Sequence, residues 1–191
     1  MVKNFLQRED LMDKPMSDSH FKTLCFMYKF RDLFSPRKTI LEEVEIRPGF
    51  HILDFGCGPR SYSIIAAKLV GTTGKVYALD IHPLAIQRVQ KVASNKGLTN
   101  VETIQSDCAT GLKNESIDLV LLCDILHDLS EPDAVLRELH RVLKQNGTLS
   151  CNDHHLKGDE MISGVTGGGL FRLSKKGKRI YNFTKLKGGK A

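Results

Sequence analysis

No apolar run in this chain of 191 residues approaches the roughly 20 residues that a membrane-crossing helix needs, which excludes a spanning segment. The first residues, MVKNFLQREDLMDK, mix acids with bases and lack an apolar core, so a secretory leader is not expected. No C-x-x-C pair occurs. The five cysteines (Cys25, Cys57, Cys108, Cys123, Cys151) are odd in number and scattered, which argues against a disulfide frame and for free thiols in a reducing, cytoplasmic setting. Internal repeats and low-complexity linkers are also missing. What remains is 41% hydrophobic and 26% charged, the composition of an ordinary globular protein of one-domain size.

Acidic residues are absent from Arg172 to the end, where eight basic ones occur (Arg172, Lys175, Lys176, Lys178, Arg179, Lys185, Lys187, Lys190). The other 20 of the 28 basic residues stand against 22 acidic ones, so the body is close to neutral although the chain carries +6. Such a tail can attract nucleic acid or an anionic surface. It equally suits a solvated hairpin whose charges keep an edge strand from aggregating, and this reading is preferred.

Ser19 to Phe34 places Phe21, Leu24, Cys25 and Tyr28 at helical spacing, and Ser35-Pro36 reads as the N-cap and first residue of a short helix reaching about Val44. Residues 1–46 are therefore expected to form a helical extension, a lid over a domain spanning 47–191. Its aromatics Phe21, Phe26, Tyr28, Phe30 and Phe34 are too many for one buried face.

After Pro48-Gly49 the pattern changes to strands alternating with helices. HILDF, KVYALD, VETIQ, IDLVLL and GTLSC read as strands. Helices are expected at SYSIIAAKL, at Pro83 to Lys96, and after a Ser130 cap through Val135, Leu136, Leu139, Val142 and Leu143 to about Asn146-Gly147. That alternation means βαβ units. A short helix near Glu160 to Val165 and two strand-like segments, LFRL and RIYNFTK, then close the chain. The expected fold is α/β: a Rossmann-like, doubly wound, mostly parallel seven-stranded sheet with helices on both faces and a C-terminal antiparallel hairpin.

The turn Gly56-Cys57-Gly58-Pro59-Arg60 stands directly after the first of these strands and before its helix, where glycines let a ligand approach the backbone. Asp80 ends the next strand 22 residues after Gly58, a distance at which a carboxylate can accept from both hydroxyls of a ribose. Together the two features point to an adenosine. Asp54, just before the turn, would repel a dinucleotide's pyrophosphate but would favour the ammonium and sulfonium of S-adenosylmethionine.

At these residues the chain resembles the class I S-adenosylmethionine-dependent methyltransferases, of the group that includes the ubiquinone/menaquinone-biosynthesis enzymes. The resemblance rests on ILDFGCGPR, VYALDIHP, TIQSDC, IDLVLLCDILHDL and AVLRELHRVLKQNGTL, in that order, from about Ile46 to Leu156. It implies that Asp54, Gly56, Cys57 and Gly58 line the methionine end and that Asp80 takes the ribose. It also implies Ile81 against an adenine face, Asp107 on the adenine amino group, the Cys108 backbone on the ring edge and the Cys123 carbonyl toward the ammonium. The family's usual third glycine is replaced by Arg60.

Methyl transfer needs alignment and, for a protonated nucleophile, a base. Asp124, His127 and Asp128 follow the fourth strand, and Asn152, Asp153, His154 and His155 the fifth. His127 is the best base candidate, with Asp124 beside it, against the plainer reading of His127 as a loop-packing residue. Asp124, Asn152 and Asp153 would offer oxygen ligands to a hard cation, and the thiols at strand ends would suit a soft one. The first set echoes the catechol-type methyltransferases, but the surrounding sequence does not match that branch, and small buried cysteines are the commoner meaning of the second, so no metal is expected. A small-molecule acceptor is expected, with RNA or another polyanion, or a non-catalytic binding module, as alternatives. Against RNA, no N-P-P-Y motif and no separate RNA-binding domain is present. The acceptor's identity and the oligomeric state are left open.

Overall fold

The computed structural model describes residues 2–4, 14–34, 37–58 and 62–187. The N-terminal extension contributes β1 (Val2–Asn4), α1 (Asp18–Phe34) and α2 (Arg37–Leu41). The alternating body follows as β2 (His51–Phe55), α3 (Tyr62–Val70), β3 (Lys75–Asp80), α4 (Pro83–Asn95), β4 (Val101–Gln105) and β5 (Ile117–Cys123). A 3-10 turn (Leu126–Asp128), α5 (Pro132–Val142), β6 (Leu143–Asn152), α6 (Gly158–Thr166), β7 (Phe171–Lys176) and β8 (Tyr181–Lys185) complete it.

The strands form one sheet in the order β1-β4-β3-β2-β5-β6-β8-β7. Pairings from β1 through β6 are parallel; β8 runs antiparallel to β6 and to β7. The seven strands legible in the sequence are all there, and the three-residue β1 adds to the β4 edge. The closing hairpin inserts its second strand against β6, so the basic segment belongs to the sheet.

β5 shows why the center reads as a continuous apolar run. Val120 and Leu122 pack under α5 with Val135, Leu136, Leu139 and Val142. Leu119, Leu121 and Cys123 pack on the opposite face with Ala66, Ala67 and Val70 of α3. A strand covered on both faces leaves little room for a polar side chain, and Asp118, the exception in β5, lies at its start, where it accepts from His51 N–H and from Lys144.

Helix boundaries differ from the sequence expectation at α2 and α5. α2 ends at Leu41, three residues before Val44, and its expected cap Ser35-Pro36 lies outside the described residues. α5 starts at Pro132 with Glu131 in the cap position and no side-chain cap, so Ser130 does not serve as one. It ends at Val142, four residues before Asn146, because Leu143 is already extended and pairs with Ile117. The pairing resumes at Leu119 with Thr148, and residues 144–147 bulge out between. Among the described residues no helix is long and apolar enough to cross a membrane.

Candidate functional site

The parallel strands β2 to β6 all end on one edge, and β2 lies beside β5 where the order of connections reverses. Ligands of open α/β sheets bind in the crevice beyond that point. Gly56, one residue past β2, has φ of 70°, and a Cβ there would lie 2.8 Å from Ile125 Cγ1, one strand over. Backbone conformation and the neighbor both demand glycine. Gly58 has φ of 49°. The turn is pinned to β3 by Cys57 N–H donating to the Leu79 carbonyl at 2.9 Å.

Asp80 organises this turn. Its Oδ2 accepts from Gly58 N–H at 2.7 Å and its Oδ1 from His82 N–H at 2.7 Å. Burial pushes its carboxyl up, opposed by those two N–H groups. Each oxygen keeps a further lone pair for a ligand hydroxyl. A cleft opens beside it, lined by Gly56, Asp80, Ile81, Ser106, Asp107, Ile125, Asp128 and Leu129 among others. Four of the nine residues expected at an adenosine site thus converge there: Gly56, Asp80, Ile81 and Asp107.

The other five have different surroundings. Asp54 is 1% exposed and accepts from the backbone and hydroxyl of Ser63, tying the start of α3 beneath the turn. Ser63 was not singled out in the sequence; a serine in the first helical turn after a Gly-rich loop is the signal for it. Cys57 is buried against Phe21 of α1, and burial holds its thiol protonated far above the ordinary range. Burial also raises Cys123, the first cause in each case, and pushes the half-buried Cys108 up to about 11. Thiols kept in this form are poor ligands for a soft metal. Gly58 faces Asp80 through its N–H. Pro59 and Arg60 lie outside the described residues.

α1 reaches this region from the side. Phe21 is buried and stacks on the His82 ring, with centroids 4.3 Å apart and planes at 25°. His82 caps α4 by accepting at Nδ1 from Leu84 N–H, 3.2 Å away. Phe26 and Met27, further along α1, are exposed. The side chains of Tyr28, Phe30 and Phe34 lie outside the described residues.

Beyond β5 and β6 the polar residues meet in two carboxylate–imidazole pairs. His127 Nδ1 is 2.8 Å from Asp153 Oδ2, which also accepts from His127 N–H at 3.2 Å. Asp153 Oδ1 takes His155 N–H at 3.0 Å. Burial would raise the Asp153 carboxyl, but the His127 ring and these N–H groups hold it below the ordinary range. The Asp153 side chain is fully enclosed, while that of His127 is 21% exposed. Asp124, at φ of 54°, accepts from His154 N–H at 3.0 Å, and its Oδ1 lies 2.6 Å from His154 Nδ1. His155 lies against both rings, its centroid 4.1 Å from His127 and 3.9 Å from His154. His127 Nε2 lies 3.3 Å from Oδ1 of the exposed Asp128, which lines the cleft. The 3-10 turn Leu126–Asp128 therefore separates the cleft from this cluster by a single residue.

Comparison with known proteins agrees with this arrangement. A family described as "Methyltransferase domain" matches residues 46–185. The demethylmenaquinone methyltransferase of Geobacillus stearothermophilus is 28% identical over 134 residues, covering 70% of this chain and 57% of that enzyme. That of Listeria monocytogenes serotype 4a (strain HCC23) is 30% identical over 118 residues, covering 61% and 50%. The chain thus spans little more than half the length of these relatives. Among solved structures, an S-adenosylmethionine-dependent methyltransferase from Aquifex aeolicus superposes with a TM-score of 0.73 at 26% identity, over 90% of this chain and 98% of that one. A glycine turn, a carboxylate at the end of the neighboring strand, this sheet order and these matches converge: the chain belongs to the methyltransferase domain family, of the class I S-adenosylmethionine-dependent type.

Proposed function

We propose that the protein methylates a small, hydroxylated aromatic acceptor bound beyond β5 and β6, with His127 as the proton acceptor. The observation that carries this is the His127–Asp153 pair, one residue from the cofactor cleft and built on the adjacent strand end. The names of the curated relatives support a quinone-type ring as the first acceptor to try.

In this reading Asp80 receives the ribose hydroxyls, Ile81 packs on the adenine, and Asp107 with the Cys108 backbone takes its polar edge. Gly56, Cys57 and Gly58 give backbone room to the methionine end. The buried Asp54 charge beneath the turn and the Cys123 carbonyl favor its ammonium. When bound, S-adenosylmethionine supplies an electrophilic methyl group on a sulfonium. Asp153 fixes the His127 ring by accepting at Nδ1, which leaves Nε2 to take a proton from the acceptor hydroxyl. The imidazolium so formed would lie between Asp153 and Asp128. Asp124 orients His154 at the rim. Within the expected lid, residues 1–46, α1 covers the cofactor side, with Phe21 fastening it to His82 and the glycine turn.

The basic hairpin supports a small acceptor over RNA, since part of its charge is engaged within the fold. Arg179 pairs with Glu43, Lys185 with Glu115, and Lys176 stands over Tyr181. Five free cysteines, three of them buried, suit a cytoplasmic setting. Incubation with methyl-deuterated S-adenosylmethionine and a panel of reduced quinones, phenols and catechols tests the reading by mass spectrometry. Labelled product that falls at least tenfold in H127N is expected. Transfer to none of the panel by protein that binds S-adenosylhomocysteine would refute it.

A further inference from the structure

We propose that Asp124, Asp153 and His154 form a binding site for one divalent transition-metal ion. Each offers one ligand atom, and these atoms all lie within 4.8 Å of one another. The site comes from the sheet itself. Cys123 is paired with Asn152, and Asp124 N–H donates to the Asn152 carbonyl at 2.8 Å, so the two carboxylates follow directly on neighboring strand ends. Their side chains are 0% and 7% exposed, which fixes the donors as a preformed set.

One further feature favors a cation. The imidazole of His127 meets the Asp153 carboxylate through Nδ1, the kind of support that metal-ligating carboxylates commonly have. Two close, enclosed carboxylates repel each other, and a doubly charged ion offsets that directly. The mixed donor set decides the class of ion. Oxygen ligands alone would suit magnesium, but an imidazole between two carboxylates suits zinc, cobalt, manganese or iron. This revises the oxygen-only trio Asp124, Asn152 and Asp153, because His154 supplies the third ligand. Three protein ligands leave positions open toward the rim, where an acceptor oxygen would sit beside His127.

Metal binding is independent of the methyl-transfer reading and is tested without cofactor or acceptor. Untagged protein, stripped with chelator, is titrated with Co²⁺, Mn²⁺ and Mg²⁺ by calorimetry, and the visible absorption of Co²⁺ is followed. One Co²⁺ per chain is expected, with Kd at or below about 10 μM and Mg²⁺ roughly 100-fold weaker. D153N and H154A should each weaken Co²⁺ binding about tenfold or more, while H51Q, at the opposite end of the sheet, should leave it unchanged. Because Asp153 is enclosed, H154A at a half-exposed residue separates ligand loss from misfolding, with far-UV circular dichroism as the check on the fold. Co²⁺ binding weaker than about 1 mM, or binding that H154A leaves intact, overturns the proposal.

Discussion

Replacing Asp80 by alanine should damage cofactor binding and stability together, because one carboxylate serves both. The side chain removed accepts from Gly58 and His82 N–H groups, each at 2.7 Å, at a site 8% exposed. Hydrogen bonds to a charged partner contribute about 1.5–3 kcal/mol each. Water entering the space left by the carboxylate offsets part of that, so a stability loss of about 2–4 kcal/mol is expected, a large share of a typical domain's 5–15 kcal/mol. S-adenosylhomocysteine affinity should fall by a further 1–3 kcal/mol or so, roughly 5- to 150-fold, as the ribose hydroxyls lose their acceptor. D80N keeps the shape but turns one acceptor oxygen into a donor facing an N–H, so it should fall between wild type and D80A. Denaturant unfolding gives the first quantity and isothermal titration the second. A D80A protein whose affinity stays within twofold of wild type would show that the ribose partner is not Asp80. An unchanged unfolding midpoint would show that the two N–H groups find water at no cost.

Gly56→Ala should abolish measurable cofactor binding while leaving a folded protein, because the added methyl meets Ile125 at 2.8 Å in a backbone conformation that alanine resists; wild-type affinity in titration would contradict this. Ending the chain after Leu156 removes Met161, Val165, Phe171, Ile180 and Phe183 from the core, at about 2 kcal/mol each. That sum rivals the whole net stability, so the fragment should be insoluble, and a soluble, cofactor-binding fragment would show the hairpin to be dispensable. Glu138 accepts from Arg141 and from both the backbone and hydroxyl of Thr110; burial raises its carboxyl, but these bonds outweigh it and set it below the ordinary value. A depressed carboxyl stabilises the fold above its unfolded value and loses that contribution as pH falls, so Glu138→Gln should cost stability at pH 7 and progressively less below about pH 4. An equal cost at pH 7 and pH 3 in urea titrations would exclude the ionised network.

The fold was legible because its signals are local or periodic. The apolar run LVLL, set between helical stretches, reads as a strand covered on both sides, and Val120 and Leu122 facing α5 while Leu119 and Leu121 face α3 agrees with that. The end of α5 was not legible. Leu143 continues the helical stripe in sequence, yet its pairing with Ile117 draws it into β6, and a contact with the neighboring strand outweighs local periodicity. β1 was equally hidden: three residues carry no period, and they become a strand only because β4 offers a free edge.

At the site, the glycine turn and Asp80 could be read directly, since a turn and a carboxylate at a fixed distance are properties of one stretch of chain. The histidine cluster could not. Asp124 and His127 sit after one strand and Asp153, His154 and His155 after another, and nothing within either stretch says which residues will touch. The register of β5 on β6 decides it. Cys123 opposite Asn152 brings the two loops level, and the partners cross between strands: His127 with Asp153, His154 with Asp124. A shift of two residues in that register would keep the same side chains on the same faces and move each imidazole about 7 Å from its carboxylate, with every motif in the sequence unchanged. The chemistry beyond the cofactor is therefore a property of strand pairing, and the central, fully buried β5 is the element that makes this pairing the stable one.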